Sequence, residues 1–270
     1  LLMRKFYTAL LSVFTLVLSN SKLEAQTSLY SFAQSSGAYT AVTGTSLFGT
    51  TWDDNVANVT LPFNFTFNST VYTAINVNSN GYITFGATAP SSVNYSPISS
   101  AAAYSGVVAV FARDLINNSG TVEYATIGSA PNRQFVIQWN NARRYSGGGV
   151  AGDVLNFQVV LYETSNVVQV VYGTCTATST LALTSQVGLR GAANTDFNNR
   201  TTTTNWNATT AGATNVASCT SSDAVMPASG LTFTWLPPSP CAPGSLNGGT
   251  TQGPASICAG GGFTLSVSGA

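Results

Sequence analysis

The chain has 270 residues, 7% charged and 44% hydrophobic, with nine Lys and Arg against nine Asp and Glu and no His. That balance excludes a basic nucleic-acid footprint, an acidic tail and the high net charge of a disordered segment. What remains is a neutral surface rich in Thr, Ser, Asn and Gly with many aromatics, the composition expected of an extracellular β protein.

The first 25 residues are read as a signal peptide. Arg4 and Lys5 precede an apolar run from Phe6 to Leu18, and the small residue Ala25 offers a cleavage point before Gln26. The run falls short of the roughly 20 residues that span a bilayer, so no membrane span is expected in the mature chain. Removing residues 1–25 leaves six Arg against eight acidic residues, a net charge of about −2, and no Lys. Without imidazole or amine, triad, Schiff-base and His/Cys zinc chemistry have no carriers, and the chain is expected not to be an enzyme. No G-x-S-x-G elbow is present either.

Strands follow in order. In "LPFNFTFN", Leu61, Phe63, Phe65 and Phe67 share one face and Asn64, Thr66 and Asn68 the other, the alternation of a half-buried strand. "YTAINVNSNGYITFG", Tyr72 to Gly86, puts Ile75 and Val77 on one face, and Asn80-Gly81 predicts a two-residue hairpin turn of the primed type. Ile83 and Phe85 then return the apolar face. After a long polar loop, "GVVAVFARDL", "GTVEYATI" and "RQFVIQW" read as short strands. In "VLNFQVVLYETSNVVQVVYG", Leu155, Phe157, Val159 and Leu161 face Val168, Val170 and Tyr172 across a turn at Glu163–Asn166. "SQVGLRG" and "LTFTW" supply the last strands. About a dozen short strands without a helical period predict an all-β antiparallel sandwich over residues 26–236.

The prolines of residues 237–240 mark a linker. From Cys241 a second β module begins and reaches only one strand by Ala270, so the sequence is expected to be a fragment. Secretion favours disulfides, and pairing within each module gives Cys175–Cys219 and Cys241–Cys258.

The order of the pieces from about residue 59 to 173 resembles the nidogen-type (NIDO-type) extracellular β domain. These are the Pro-Phe strand, the Asn-Gly turn with "ITFG", the segment around Asp114, the "VIQW" strand and "LNFQVVL". Ala112-Arg113 stand where that family usually carries a Trp ahead of the Asp. The segment 241–270 is similar to Cys-bearing Ig-like repeats of large bacterial surface proteins that use type IX secretion. The resemblance implies a secreted, non-enzymatic module for cell adhesion or matrix contact.

Candidate ligand contacts are Trp52 and Trp206 in polar stretches and Arg143-Arg144 ahead of "SGGG", since aromatics and Arg dominate binding hot spots. Trp139 and Trp235 close apolar strands and are expected in the core. The partner would be a glycan or an extracellular matrix polymer; the alternative is self-association into a fibre or sheath along uncharged strand edges. A third reading is an accessory module of a carbohydrate-active enzyme. Glu123 and Glu163 are the acids weighed for glycoside hydrolysis. No cofactor is required, with calcium the one ion considered, at Asp53, Asp54 and Asp114; these acids equally serve as turn caps.

Overall fold

The computed structural model describes residues 26–238 except Gly149 and Ala151. The signal segment, the second half of the proline linker and the module expected from Cys241 lie outside the described residues. The strands are Ser31–Ser36 (β1), Thr45–Ser46 (β2), Val56–Phe67 (β3), Thr70–Asn78 (β4), Tyr82–Phe85 (β5), Val107–Ala112 (β6), Leu115–Asn117 (β7) and Val122–Ile127 (β8). They continue as Gln134–Arg144 (β9), Leu155–Tyr162 (β10), Val168–Tyr172 (β11), Leu183–Arg190 (β12), Phe197–Thr201 (β13), Thr210–Ala211 (β14), Cys219–Ser221 (β15) and Leu231–Leu236 (β16). Two single 3-10 turns, Thr27–Leu29 and Trp206–Ala208, complete the described elements.

Two antiparallel sheets pack face to face. One runs β1-β16-β11-β10-β9-β8-β2 with β7 also on β9; the other runs β14-β13-β12-β6-β5-β4-β3 with β15 also on β12. Two meanders, β3 to β6 and β8 to β11, form the centres, and the last strand inserts between the first strand and β11. The fold is therefore the all-β sandwich the alternation predicts, with more short strands than the apolar runs alone reveal.

The alternating residues fill the space between the sheets. Leu61, Phe63, Phe65 and Phe67 are buried, as are Leu155, Phe157, Val159 and Leu161 with Val168, Val170 and Tyr172. Trp139 and Trp235 are fully buried, and Trp139 Nε1 crosses to the other sheet, donating to the carbonyls of Asn78 (3.2 Å) and Ser79 (3.0 Å). Tyr172 does the same through its hydroxyl to Val110 O at 2.7 Å. Each aromatic thus removes a large apolar area from water while its polar tip keeps a partner, which is the condition for burying Trp and Tyr without loss.

β5 and β6 are buried along their whole length rather than on one face. The polar loop between them explains this. It folds back over the outer face, where Ile98 and Tyr104 pack on Tyr82, Val107, Ala109 and Ala112. Arg190 clasps it, donating to the carbonyls of Pro97, Ser100 and Ala102, each at 2.8 Å.

The Asn-Gly turn differs from the expectation. Asn78 pairs with Tyr82, so the loop has three residues, Ser79 to Gly81, and only Gly81 takes a positive φ, +80°. The reason is docking rather than hairpin twist: Val110 N and Phe111 N both donate to Gly81 O, and a Cβ on Gly81 would stand 2.4 Å from Phe111 O. A glycine is required by that approach. The turn is consequently a buried elbow, with Asn80 fully enclosed.

Candidate functional site

The four residues expected to meet a ligand do not form one exposed surface. Trp52 is 1% exposed and donates from Nε1 to Gly120 O at 3.3 Å. Trp206, on its 3-10 turn, is also 1% exposed; its ring stacks on Phe111 at 5.6 Å, and Nε1 donates to Thr220 O at 2.7 Å. Both indoles belong to the core, because polar neighbours in sequence did not place them in polar surroundings. Arg144 is not on a solvated loop either. It ends β9, is fully buried, and grips Asp153 through Nε–Oδ2 (2.6 Å) and Nη2–Oδ1 (2.9 Å) while Nη1 donates to Ser221 O (2.6 Å). Among the four, Arg143 alone keeps partial exposure, on the alternate face of the same strand end.

The expected Cys175–Cys219 bridge is absent, and both cysteines are buried free thiols. Cys175 follows β11 in one sheet and donates to Asn156 O; Cys219 opens β15 in the other and donates to Arg200 O. Neighbourhood along the chain did not make them partners. Burial pushes each thiol up to about 12, so neither is a ready nucleophile. Cys241 and Cys258 lie outside the described residues.

The acids weighed for glycoside hydrolysis are engaged elsewhere. Glu163 holds Arg133, and Glu123 is buried among Gln138, Thr121 and the Gly44 amide.

Asp53, Asp54 and Asp114, by contrast, converge although some sixty residues separate the pair from the third. An isolated antiparallel bridge between Asp53 and Ile116 brings the start of the domain beside the β6–β7 link, and one carboxylate oxygen from each acid lies within 4.8 Å of the others. The buried elbow positions the middle member: Asn80 Nδ2 donates to Asp54 Oδ1 at 2.9 Å, while Asn80 Oδ1 accepts from Leu115 N at 2.8 Å. Tyr95, from the loop over the second sheet, donates to Asp54 Oδ2 at 3.2 Å. Arg113 does not neutralise the group through a side-chain pair, since its guanidinium donates to the carbonyls of Asp114, Thr184 and Tyr145.

The electrostatics follow from that crowding. Asp114 is pushed up to about 6, first by desolvation, then by the charges of Asp54 and Asp53, with Arg113 opposing. Asp53 is raised by burial and then by Asp54. Tyr95 is pushed up to about 12, by burial and then by the surrounding carboxylates. Three acids of one sign so close favour holding a proton or a cation. They are oxygen donors of the type calcium takes, though such an ion wants roughly six to eight oxygens, so carbonyls or water would have to complete the shell.

Arg143 belongs to the same neighbourhood. Ile116 is registered opposite Asp53 on one side and opposite Arg143 on the other, and Tyr145 N donates to Asp114 O at 3.0 Å. Asp53, Asp54, Tyr95 and Asp114 therefore gather at one place, and strand register sets Arg143 and Tyr145 beside them; all six are exposed or half-exposed. The sequence offered the three acids and Arg143, with Tyr145 as the residue that follows the arginine pair, but not Tyr95. Nothing local marks a loop tyrosine as the neighbour of an acid some forty residues away.

Residues 29–237 match the family model described as NIDO related, which covers well over half of the chain. The chain belongs to the NIDO-related family. Membership points to an extracellular module and extends the likeness beyond the central strands to β1 and β16. No curated protein and no solved structure matches the chain. Among the described residues no helix is long and apolar enough to cross a membrane.

Proposed function

We propose that this NIDO-related domain is a secreted, non-catalytic adhesion module that contacts a glycan or an extracellular matrix polymer. The observation that carries the reading is the gathering of Asp53, Asp54, Tyr95, Asp114, Arg143 and Tyr145 from separate segments onto a rigid sandwich. Hydroxyl-rich polymers are recognised by that mixture: carboxylates accept from hydroxyls, a guanidinium donates to ring and acidic oxygens, and tyrosines offer flat faces with polar tips. Loops held on a sheet scaffold are where such contacts are normally placed. The non-catalytic part of the reading is supported by a mature chain without His or Lys.

Glycan and matrix-polymer arrays probed with the secreted chain test it. Arg143→Ser and Tyr95→Ala are expected to lose the binding seen for the parent at unchanged melting temperature. Binding that survives both substitutions would remove this patch as the contact surface, and turnover of any arrayed polymer would remove the non-catalytic reading.

A further inference from the structure

β3 closes one side of its sheet and pairs only with β4. An edge of this kind presents unpaired N–H and C=O groups, and proteins that avoid pairing there place charges, prolines or bulges on it. The two halves of β3 differ in this respect. From Leu61 onward the edge is guarded: Pro62 lacks an N–H, the register with β4 shifts between Thr60 and Phe65, Thr66 N is capped by Asn166 Oδ1 at 2.7 Å, and Asn68 N by the Tyr30 hydroxyl at 3.1 Å.

The first half has no such guard. Asn55 O accepts from Ser79 N, and Ala74 O faces β5, where it accepts from Gly86 N. Alternation then directs the N–H and C=O of Val56, Asn58 and Thr60 away from β4, into solvent. The side chains of these three residues stand on the outer face, Asn58 and Thr60 exposed and Val56 half-exposed.

We infer that Val56–Thr60 is a homotypic docking edge, pairing antiparallel with the same segment of a second copy about a two-fold axis at Asn58. Three features select this occupant. Residues 55–112, which supply β3 to β6, hold no Asp, Glu, Lys or Arg, and a symmetric interface sets each group against its own kind, so an uncharged run meets no repulsion. The register is self-complementary: Val56 faces the partner copy's Thr60, two β-branched residues, and Asn58, whose Nδ2 is held within its own sheet by Asn76 Oδ1 (3.0 Å) and Ile75 O (3.3 Å), meets its mate as an uncharged side chain beside the outward backbone N–H and C=O. Antiparallel pairing also carries the two Asp53-Asp54 pairs to opposite ends, roughly 25 Å apart, whereas parallel pairing would set them side by side. The bulge after Thr60 ends the seam, so the product is a closed, weak dimer of two continuous sheets rather than a fibre. It lies on β3 and is independent of the ligand patch proposed above.

Sedimentation equilibrium of the chain over a range of concentrations tests the pairing. The parent is expected to show a reversible monomer–dimer equilibrium. Asn58→Lys should abolish the dimer at a modestly lower melting temperature, since Asn76 Oδ1 loses its Asn58 donor, and Asn64→Lys, beyond the seam, should keep the dimer. Asn58→Pro, which removes the outward N–H without touching the ladder to β4, should also give monomer, and Asn58→Cys should cross-link to its own mate under oxidation. A parent that is monomeric throughout, one that grows into open polymers, or an Asn58→Lys variant that dimerises like the parent overturns the inference. Array binding by the monomeric Asn58→Lys variant keeps the two proposals separable, since its loss would bear on the patch and its retention leaves the edge to be judged by sedimentation alone.

Discussion

Strand β9 has an arginine on a carboxylate at each end, and the two ends solve different problems. At the far end Arg144 and Asp153 are both fully buried, joined by two hydrogen bonds from the guanidinium and one from the Arg144 backbone N, and the guanidinium also satisfies carbonyls of Leu181 and Ser221. At the near end Arg133 and Glu163 pair with equally good geometry, 2.8 and 2.6 Å, but keep contact with water. Dielectric, more than distance, decides what each is worth. The buried pair ties β9, the β9–β10 connection and β15 together at the point where the two sheets meet. The exposed pair fastens only the turn after β10 to the start of β9.

Breaking the buried end should have the largest effect. Arg144→Met leaves the Asp153 carboxylate unpaired in the interior, and removing one partner of such a pair costs about 3–5 kcal/mol. Chemical denaturation should show a lower midpoint at an unchanged slope. Arg144→Met with Asp153→Leu removes both charges and should recover much of that loss, incompletely because Ser221 O then lacks its donor. If the double variant is no more stable than the single one, the pair matters for its hydrogen-bonded frame rather than for charge burial.

The same contrast explains what could be read in advance. Leu61, Phe63, Phe65 and Phe67, or Ile75 and Val77, announce their burial because the strand period is local and the neighbours two residues away carry the signal. Arg144 gives no such sign. It looks like a loop residue beside "YSGGG", and its burial depends on Asp153 nine residues later and on Ser221 far beyond. Trp52 and Trp206 mislead for a related reason: polar stretches surround them, yet a carbonyl at Gly120 or Thr220 lets each indole go inside. The acid cluster was legible as residues but not as a site, since the Asp53–Ile116 bridge that assembles it is a tertiary event. The elbow at Gly81 was legible as a turn, and its type was decided by β6 docking against it.

A second prediction sets the acid cluster beside the ion pairs, because there three like charges meet and Arg113, though near, spends its guanidinium on carbonyls. Asp114 is raised in the folded state, to about 6 against an ordinary 3.8, so between these values the folded protein binds more protons than the unfolded chain. Stability contributed by this group is therefore present at low pH and lost as pH rises from about 4 through 6. Melting temperature of the parent should fall over that interval, and Asp114→Asn should flatten the slope and raise the midpoint near neutrality. A parent whose stability climbs steadily from pH 4 to 6, unaltered by Asp114→Asn, would mean that the three carboxylates do not share their charge burden in solution.

The smallest effect is expected at the exposed end of β9, and its sign is opposite. Arg133 pulls Glu163 down to about 2 from an ordinary 4.5, through its hydrogen bonds first, so the carboxylate's contribution is present above the unfolded value and lost as pH falls from about 4.5 to about 2. Solvent screening makes the neutral-pH gain slight, and Glu163→Gln should shift the melting temperature little at pH 7 and still less in high salt. What the substitution should change is the acid limb, where the parent loses stability and the variant loses less. The two pH dependences thus oppose each other in adjoining windows, Asp114 gaining stability on acidification to about 4 and Glu163 giving it up below. In the Asp114→Asn/Glu163→Gln double variant both slopes should flatten together. A Glu163→Gln variant that falls as steeply as the parent below pH 4 would assign the acid limb to other carboxylates and leave the Arg133 contact a local fastening of the turn.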